Sequence, residues 1–212
     1  MNKINYDAEM KKEIETLGGK KKKLLLHSCC GPCSTAVTER LFPFFDITVF
    51  YFNPNITESE EYNLRKNEQK RFLTEAYGDK IAFLDGRYKA VEFFEKAKGL
   101  EKEPEGGKRC KACFELRLKE TAETAKNGGY DYFCSTLSVS PHKNAELINI
   151  IGEKEGNAFG VKYLLNDFKK GNGYKRSVEI SNEYGLYRQH YCGCIYSKYS
   201  SLPGLENESG EK

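Results

Sequence analysis

"LLLHSCCGPCSTAV", residues 24–37, decides the fold. An apolar run leads in, Pro32 sits where a helix takes its first residue, and the apolar positions beyond it keep helical spacing. A strand that passes straight into a helix is the unit of a parallel α/β sheet. Three cysteines, Cys29, Cys30 and Cys33, are crowded into that one turn.

The same alternation continues on both sides. Residues 5–17 read as a short amphipathic helix closed by Gly18-Gly19, and "KKLLLHS" as the first strand. "DITVFYFNPN" is a second strand, β-branched and aromatic, stopped at Asn53-Pro54. A charged helix over 58–77 leads to a third strand, "KIAFLDG", and then to a helix, "YKAVEFFEKAKG", ended by Gly99. "LEKEPEGGKR" is a loop. From Cys110 a helix begins in which Phe114, Leu118, Ala122 and Ala125 share one face. "DYFCSTL" is a fourth strand, "HKNAELINIIGEKEG" a helix and "VKYLL" a fifth strand. We expect a mostly parallel sheet with helices on both faces. The chain divides into an N-terminal helical extension (1–20), a single α/β domain (21–205) and a frayed C-terminal tail (206–212). Sites in such sheets form at the carboxyl ends of strands, where both the opening stretch and "STLSVSPHK" fall.

Composition bounds the function. Charged residues make up 31% and hydrophobic ones 39% of the 212 residues, as in a soluble globular protein, and no apolar run is long enough to span a bilayer. The first twenty residues carry charge where a signal peptide needs an apolar stretch, so a cytoplasmic location is expected. Thiols are kept reduced there, so the eight cysteines point to metal binding or redox catalysis rather than a disulfide framework. A net charge of +3 permits a nucleic-acid partner without requiring one.

The cysteines fall into groups: Cys29, Cys30 and Cys33; Cys110 and Cys113; Cys192 and Cys194; and Cys134 alone in an apolar strand, read as a core residue. One C-x-x-C is a weak signal, but two of them, each opening a helix, are stronger. Helix N-terminal amides favour the thiolate, the form that ligates metal or attacks disulfides. Zinc and an iron–sulfur cluster both suit such ligands, and plain reduced thiols are the bland alternative. A thioredoxin-like reading of Cys30 and Cys33 would leave Cys29 and the second pair unexplained. In "YRQHYCGCIYS", residues 187–197, Arg188 and His190 interleave with Tyr191 and other tyrosines, a mixture that suits base stacking and phosphate contact. A tyrosine-rich apolar edge is the competing reading. C-x-C either ligates metal or closes a strained, easily reduced disulfide. His27 reads as a hydrogen-bonded core or supporting histidine, and Lys20–Lys23 as a solvated run. His142 and Lys143 stand at a strand end where a substrate loop or a plain helix cap would fit.

Together, "HSCCGPC", "CKACFELRL", "STLSVSPHK" and "YRQHYCGCIYS" resemble, in that order, the epoxyqueuosine reductases of the QueH type, over about residues 22–200. The resemblance implies a Rossmann-like, adenine-nucleotide-hydrolase-like fold and a catalytic role for the 21–205 domain. It implies removal of the epoxide oxygen of epoxyqueuosine at the tRNA wobble position, without cobalamin and with an external electron donor. It further implies that Cys29, Cys30, Cys110 and Cys113 carry a [4Fe-4S] cluster and that Cys192 and Cys194 form a redox-active pair. Cys33 is the open member, with ligation of an additional iron as its expected role. Arg188, His190, Tyr191, His142 and Lys143 are the candidate substrate contacts. Two other readings stand beside this one. One is an iron–sulfur tRNA thiolation or desulfidation enzyme, against which there is no S-G-G-x-D-S-type loop after the first strand. The other is a non-catalytic, zinc-dependent RNA-binding module.

Overall fold

Leu24, Leu25 and Leu26 are all fully buried, which a strand achieves only when both faces of its sheet are covered. In the computed structural model, which describes residues 4–200, they form the centre of strand β1 (Lys22–His27). Around it lie β2 (Phe45–Tyr51), β3 (Ala82–Asp85), β4 (Tyr132–Ser135) and β5 (Lys162–Tyr163), in the order β3-β2-β1-β4-β5. Every pairing is parallel, with Leu24 opposite both Ile47 of β2 and Tyr132 of β4. The parallel sheet is the one that the alternation of strands and helices predicts, and the fold is the Rossmann-like one that the resemblance implies.

Helices α2 (Gly31–Leu41), α3 (Ser59–Tyr77) and α7 (Gly173–Glu183) pack together as one layer. Helices α4 (Ala90–Ala97), α5 (Lys108–Asn127) and α6 (Ala145–Phe159) form another. The predicted stripe on α5, Phe114, Leu118, Ala122 and Ala125, is buried. Cys134 is fully buried in β4 opposite Leu26, as a core residue should be. Helix α1 (Tyr6–Thr16) lies by the amino ends of the strands. Its Met10 is fully buried in the main core, and its Glu13 accepts hydrogen bonds from Tyr132 of β4 (2.6 Å) and Lys162 of β5 (2.7 Å). The 206–212 tail lies outside the described residues.

Several boundaries differ from expectation. Helix α5 starts at Lys108, so Cys110 and Cys113 occupy its first and second turns. After Ser135 the chain tightens into a 3₁₀ turn (Thr136–Val139), and α6 begins only at Ala145, where the Asn144 side chain accepts from the Leu147 amide. Strand β5 has just two residues. The sequence reading contains neither α7 nor α8 (Ile195–Ser200). Helix α7 buries Ser177, Ile180 and Ser181 rather than an apolar stripe, so its period is hidden.

Candidate active site

After β1 the chain runs to β2 and β3 on one side, then returns to β4 on the other. The carboxyl ends of β1 and β4 therefore flank the point where the topology reverses, the usual ligand crevice of an open parallel sheet. The Cys29–Cys33 turn leaves β1 there, and the 3₁₀ turn with Ser140–Lys143 leaves β4. Helix α5 enters β4 from the opposite direction, which brings its first turns, with Cys110 and Cys113, to the same edge.

The sulfur atoms of Cys29, Cys30 and Cys33 all lie within 4.8 Å of one another, with 3.8 Å between Cys29 and Cys30. Tetrahedral thiolate ligands about 2.3 Å from a metal ion are separated by a similar distance. Cys30 is the N-cap of α2, in extended conformation. Hydrogen bonds from Cys30 and Cys33 hold the Cys29 thiol well below its ordinary pKa, so Cys29 is the most readily ionised of the three. The cost falls on its neighbours: Cys30 is pushed up to about 12, chiefly by its bond to Cys29. Gln189 supports the group by donating from Nε2 to Cys30 Sγ (2.9 Å).

Cys110, Cys113, Cys192 and Cys194 line one small cavity of ≈ 80 Å³ beside this triad. Burial pushes Cys113 up to about 12 and Cys194 up to about 11, so both thiols hold their protons at neutral pH. The structure thus brings the three cysteine groups to one sheet edge and leaves Cys134 apart. All eight cysteines are free thiols.

Arg65 fixes the C-x-C loop. It is buried, pairs with Glu61 (2.6 Å), and donates to the carbonyls of Cys192 (3.1 Å) and Tyr191 (3.3 Å). Between the two cysteines Gly193 has φ +116, and a Cβ there would meet Ile56 Cγ1 at 2.9 Å. Ser197 closes the loop from behind. Its hydroxyl accepts from the Cys192 amide (3.2 Å), and its own amide donates to Cys194 Sγ (3.4 Å).

Behind the triad, His27 is fully buried, with Nδ1 2.8 Å from Ser135 Oγ. Its Nε2 faces both the Phe52 carbonyl (3.0 Å) and Arg117 Nε (3.3 Å). A carbonyl only accepts and a guanidinium only donates, so the ring serves one of them at a time. Burial, helped by Arg117, lowers its pKa to about 3, so the ring is neutral.

A cleft of ≈ 450 Å³ opens over Cys29, Cys33 and Cys192, a size that suits a nucleoside-scale ligand. Arg65, Arg117, Lys143 and Arg188 line it against one carboxylate, Glu105, among the described residues. All five candidate substrate contacts, Arg188, His190, Tyr191, His142 and Lys143, are in its wall. His142 and His190 are exposed, whereas Arg188 is partly engaged, donating to Ser181 Oγ (3.0 Å). Sequence reading missed Arg65, Arg117 and the contact of Gln189 with Cys30. The available signal was spacing: Arg65 is four residues after Glu61, and Arg117 four after Cys113, on helices where such pairs are neighbours.

Thiols held beside a cationic cleft at the reversal point of a parallel sheet define an α/β redox or metal-binding enzyme. Comparison with known proteins specifies the class. Residues 24–200 match the family model described as epoxyqueuosine reductase QueH. The chain is 45% identical over 202 residues to the epoxyqueuosine reductase QueH of Staphylococcus epidermidis, covering 92% of this chain and 85% of that protein. It is 44% identical to that of Streptococcus pyogenes serotype M1, covering 96% and 81%. The Thermotoga maritima protein of the same name is 33% identical, with 82% and 89% covered. The chain belongs to the QueH family and is an oxidoreductase. No helix among the described residues is long and apolar enough to cross a membrane.

Proposed function

We propose that this protein reduces epoxyqueuosine to queuosine at the wobble position of tRNA, the last step of queuosine synthesis, in the cytoplasm. A [4Fe-4S] cluster would be held by Cys29, Cys30, Cys110 and Cys113, with Cys33 available to a further iron. The observation that carries this reading is the gathering of seven of the eight cysteines at one edge of the sheet, under a basic cleft. The donor set fits such a group: soft thiols, buried or half-buried, with one, Cys29, readily ionised and two guanidinium groups close by. When bound, the cluster supplies single electrons and, at an open iron, a Lewis acid for the epoxide oxygen.

The chain's own residues supply the rest. Opening the epoxide breaks both C–O bonds, forms the alkene and consumes two electrons and two protons to release water. Oxidation of the Cys192–Cys194 dithiol to a disulfide yields that number of each, and burial keeps Cys194 protonated until then. An external donor then reduces the disulfide. From the cleft wall, Arg188 and Lys143 would meet tRNA phosphate, and Tyr191 would offer a ring for stacking.

The test is anaerobic incubation of reduced, iron-loaded protein with epoxyqueuosine-containing tRNA, followed by nucleoside analysis. Queuosine should accumulate. Loss of sulfur from a thiolated nucleoside in its place supports a desulfidase, and stoichiometric zinc without acid-labile sulfide overturns the cluster. Cys192→Ser and Cys194→Ser should each abolish turnover while iron and sulfide stay at wild-type content. A parallel loss of metal makes the two cysteines ligands.

A further inference from the structure

Three buried arginines stand near the thiols, and they differ in what meets their charge. Arg65 pairs with Glu61. Arg109 donates to the carbonyls of Leu100 (3.3 Å) and Glu101 (2.8 Å) and lies over the Tyr196 ring. Arg117, 1% exposed in the middle of α5, makes no ion pair with a carboxylate among the described residues. Its Nη2 donates to Asn53 Oδ1 (2.7 Å), its Nε points at His27 Nε2, and its Nη1 at Cys113 Sγ (4.0 Å). These partners are an amide, a neutral imidazole and a sulfur.

A guanidinium does not shed its proton, and burying one without a counter-charge is strongly unfavourable. Arg117 lines the cleft alongside Cys29 and Cys192. Its missing anion therefore lies on the side of the sulfur atoms.

We propose that Arg117 is the fixed counter-cation of the thiolate-held redox centre and sets that centre's reduction potential, acting as a positioning charge without touching substrate. The inference rests on the cluster reading above. Each added electron makes the centre more negative, so a neighbouring cation stabilises the reduced form more than the oxidised one. Removing the charge should lower the potential. It should also shrink the stabilisation gained on loading the centre, because the apo protein no longer buries an unmatched cation.

Arg117→Lys, Arg117→Gln and Arg117→Met, prepared anaerobically and loaded with iron and sulfide, test this by redox titration and by thermal melting of apo and loaded forms. At a fixed potential the Gln and Met variants should show a reduced-to-oxidised ratio about tenfold lower, equivalent to 59 mV for one electron. The Lys variant should stay near wild type. A merely structural role would lower the melting of both forms equally and leave the potential unmoved. Fully loaded Gln or Met protein at the wild-type potential overturns the proposal, as does a Lys variant shifted as far as they are. So does failure of both neutral variants to fold even as apo protein while Lys folds, because the charge would then serve the Asn53 and His27 network. Wild-type protein lacking acid-labile sulfide removes the cluster reading itself, whereas normal loading with an unmoved potential removes only the role of Arg117.

Discussion

At the scale of single residues, the seven gathered cysteines and the eighth make opposite predictions. Cys134 is sealed in β4, away from any cleft. Cys134→Ser should leave iron and sulfide content unchanged but cost about 1–3 kcal/mol of stability, because a hydroxyl replaces a thiol in an apolar site. Metal analysis and a denaturant melt check both halves. Gly193 carries a different load. Its φ of +116 disfavours any side chain, and a Cβ would press on Ile56 and Arg65. Gly193→Ala should displace the C-x-C loop, cutting turnover at least about tenfold while iron stays bound; wild-type turnover would show that the loop tolerates the shift. The cysteines were legible in the sequence because their spacing is itself the signal. Arg117 was not, since "ELRLKE" looks the same whether its arginine is solvated or buried, and only packing shows that it lies beneath the thiols.

Among the elements, β1, β2 and β4 and helices α5 and α6 could be read from their apolar residues, because each buries them in the core. Helix α7 could not. Ser177 and Ser181 fill its contact with α2, where Ser34, Thr35 and Thr38 are also fully buried, and hydroxyls leave no hydropathy pattern. Helix α1 was readable as a helix, but its attachment was not. Asp7 is buried and accepts from Arg40 of α2 at 2.5 Å and from Lys11 at 2.9 Å. Burial raises the Asp7 pKa, but the bonds to Lys11 and Arg40 outweigh it, and the net shift is downward. A depressed carboxyl contributes stability above its unfolded pKa and loses it as pH falls through the folded value. Asp7→Asn should therefore cost about 1–3 kcal/mol at neutral pH, and the gap to wild type should close below about pH 4. A constant gap from pH 7 to pH 3 would show that the charge plays no part in docking α1.

For the molecule as a whole, net charge understates the field at the cleft. The chain carries only +3, yet the cleft wall sets four basic side chains against Glu105 among the described residues. Binding of an epoxyqueuosine-containing anticodon stem-loop should weaken about tenfold or more between 50 and 200 mM salt if three phosphates are contacted. Arg188→Gln should flatten that dependence. Salt-independent binding would leave the cleft's charge without a phosphate to meet.

The order in which the thiols are made has its own consequence. Cys29, Cys30 and Cys33 follow the first strand, whereas Cys192 and Cys194 come after the last. On the ribosome, at about 5–20 residues per second, roughly ten to thirty seconds separate the two ends of the centre. Strand β1 cannot even gain its β4 neighbour until more than a hundred further residues have been made. Until α5 has been made and β4 has paired, a newborn chain presents a three-thiol turn without Cys110, Cys113 and Arg117 packed against it. Loading of the proposed cluster on Cys29, Cys30, Cys110 and Cys113 therefore has to wait for α5 and β4 to join β1, and cells short of reducing power should lose this enzyme first among its nascent molecules, before the finished ones.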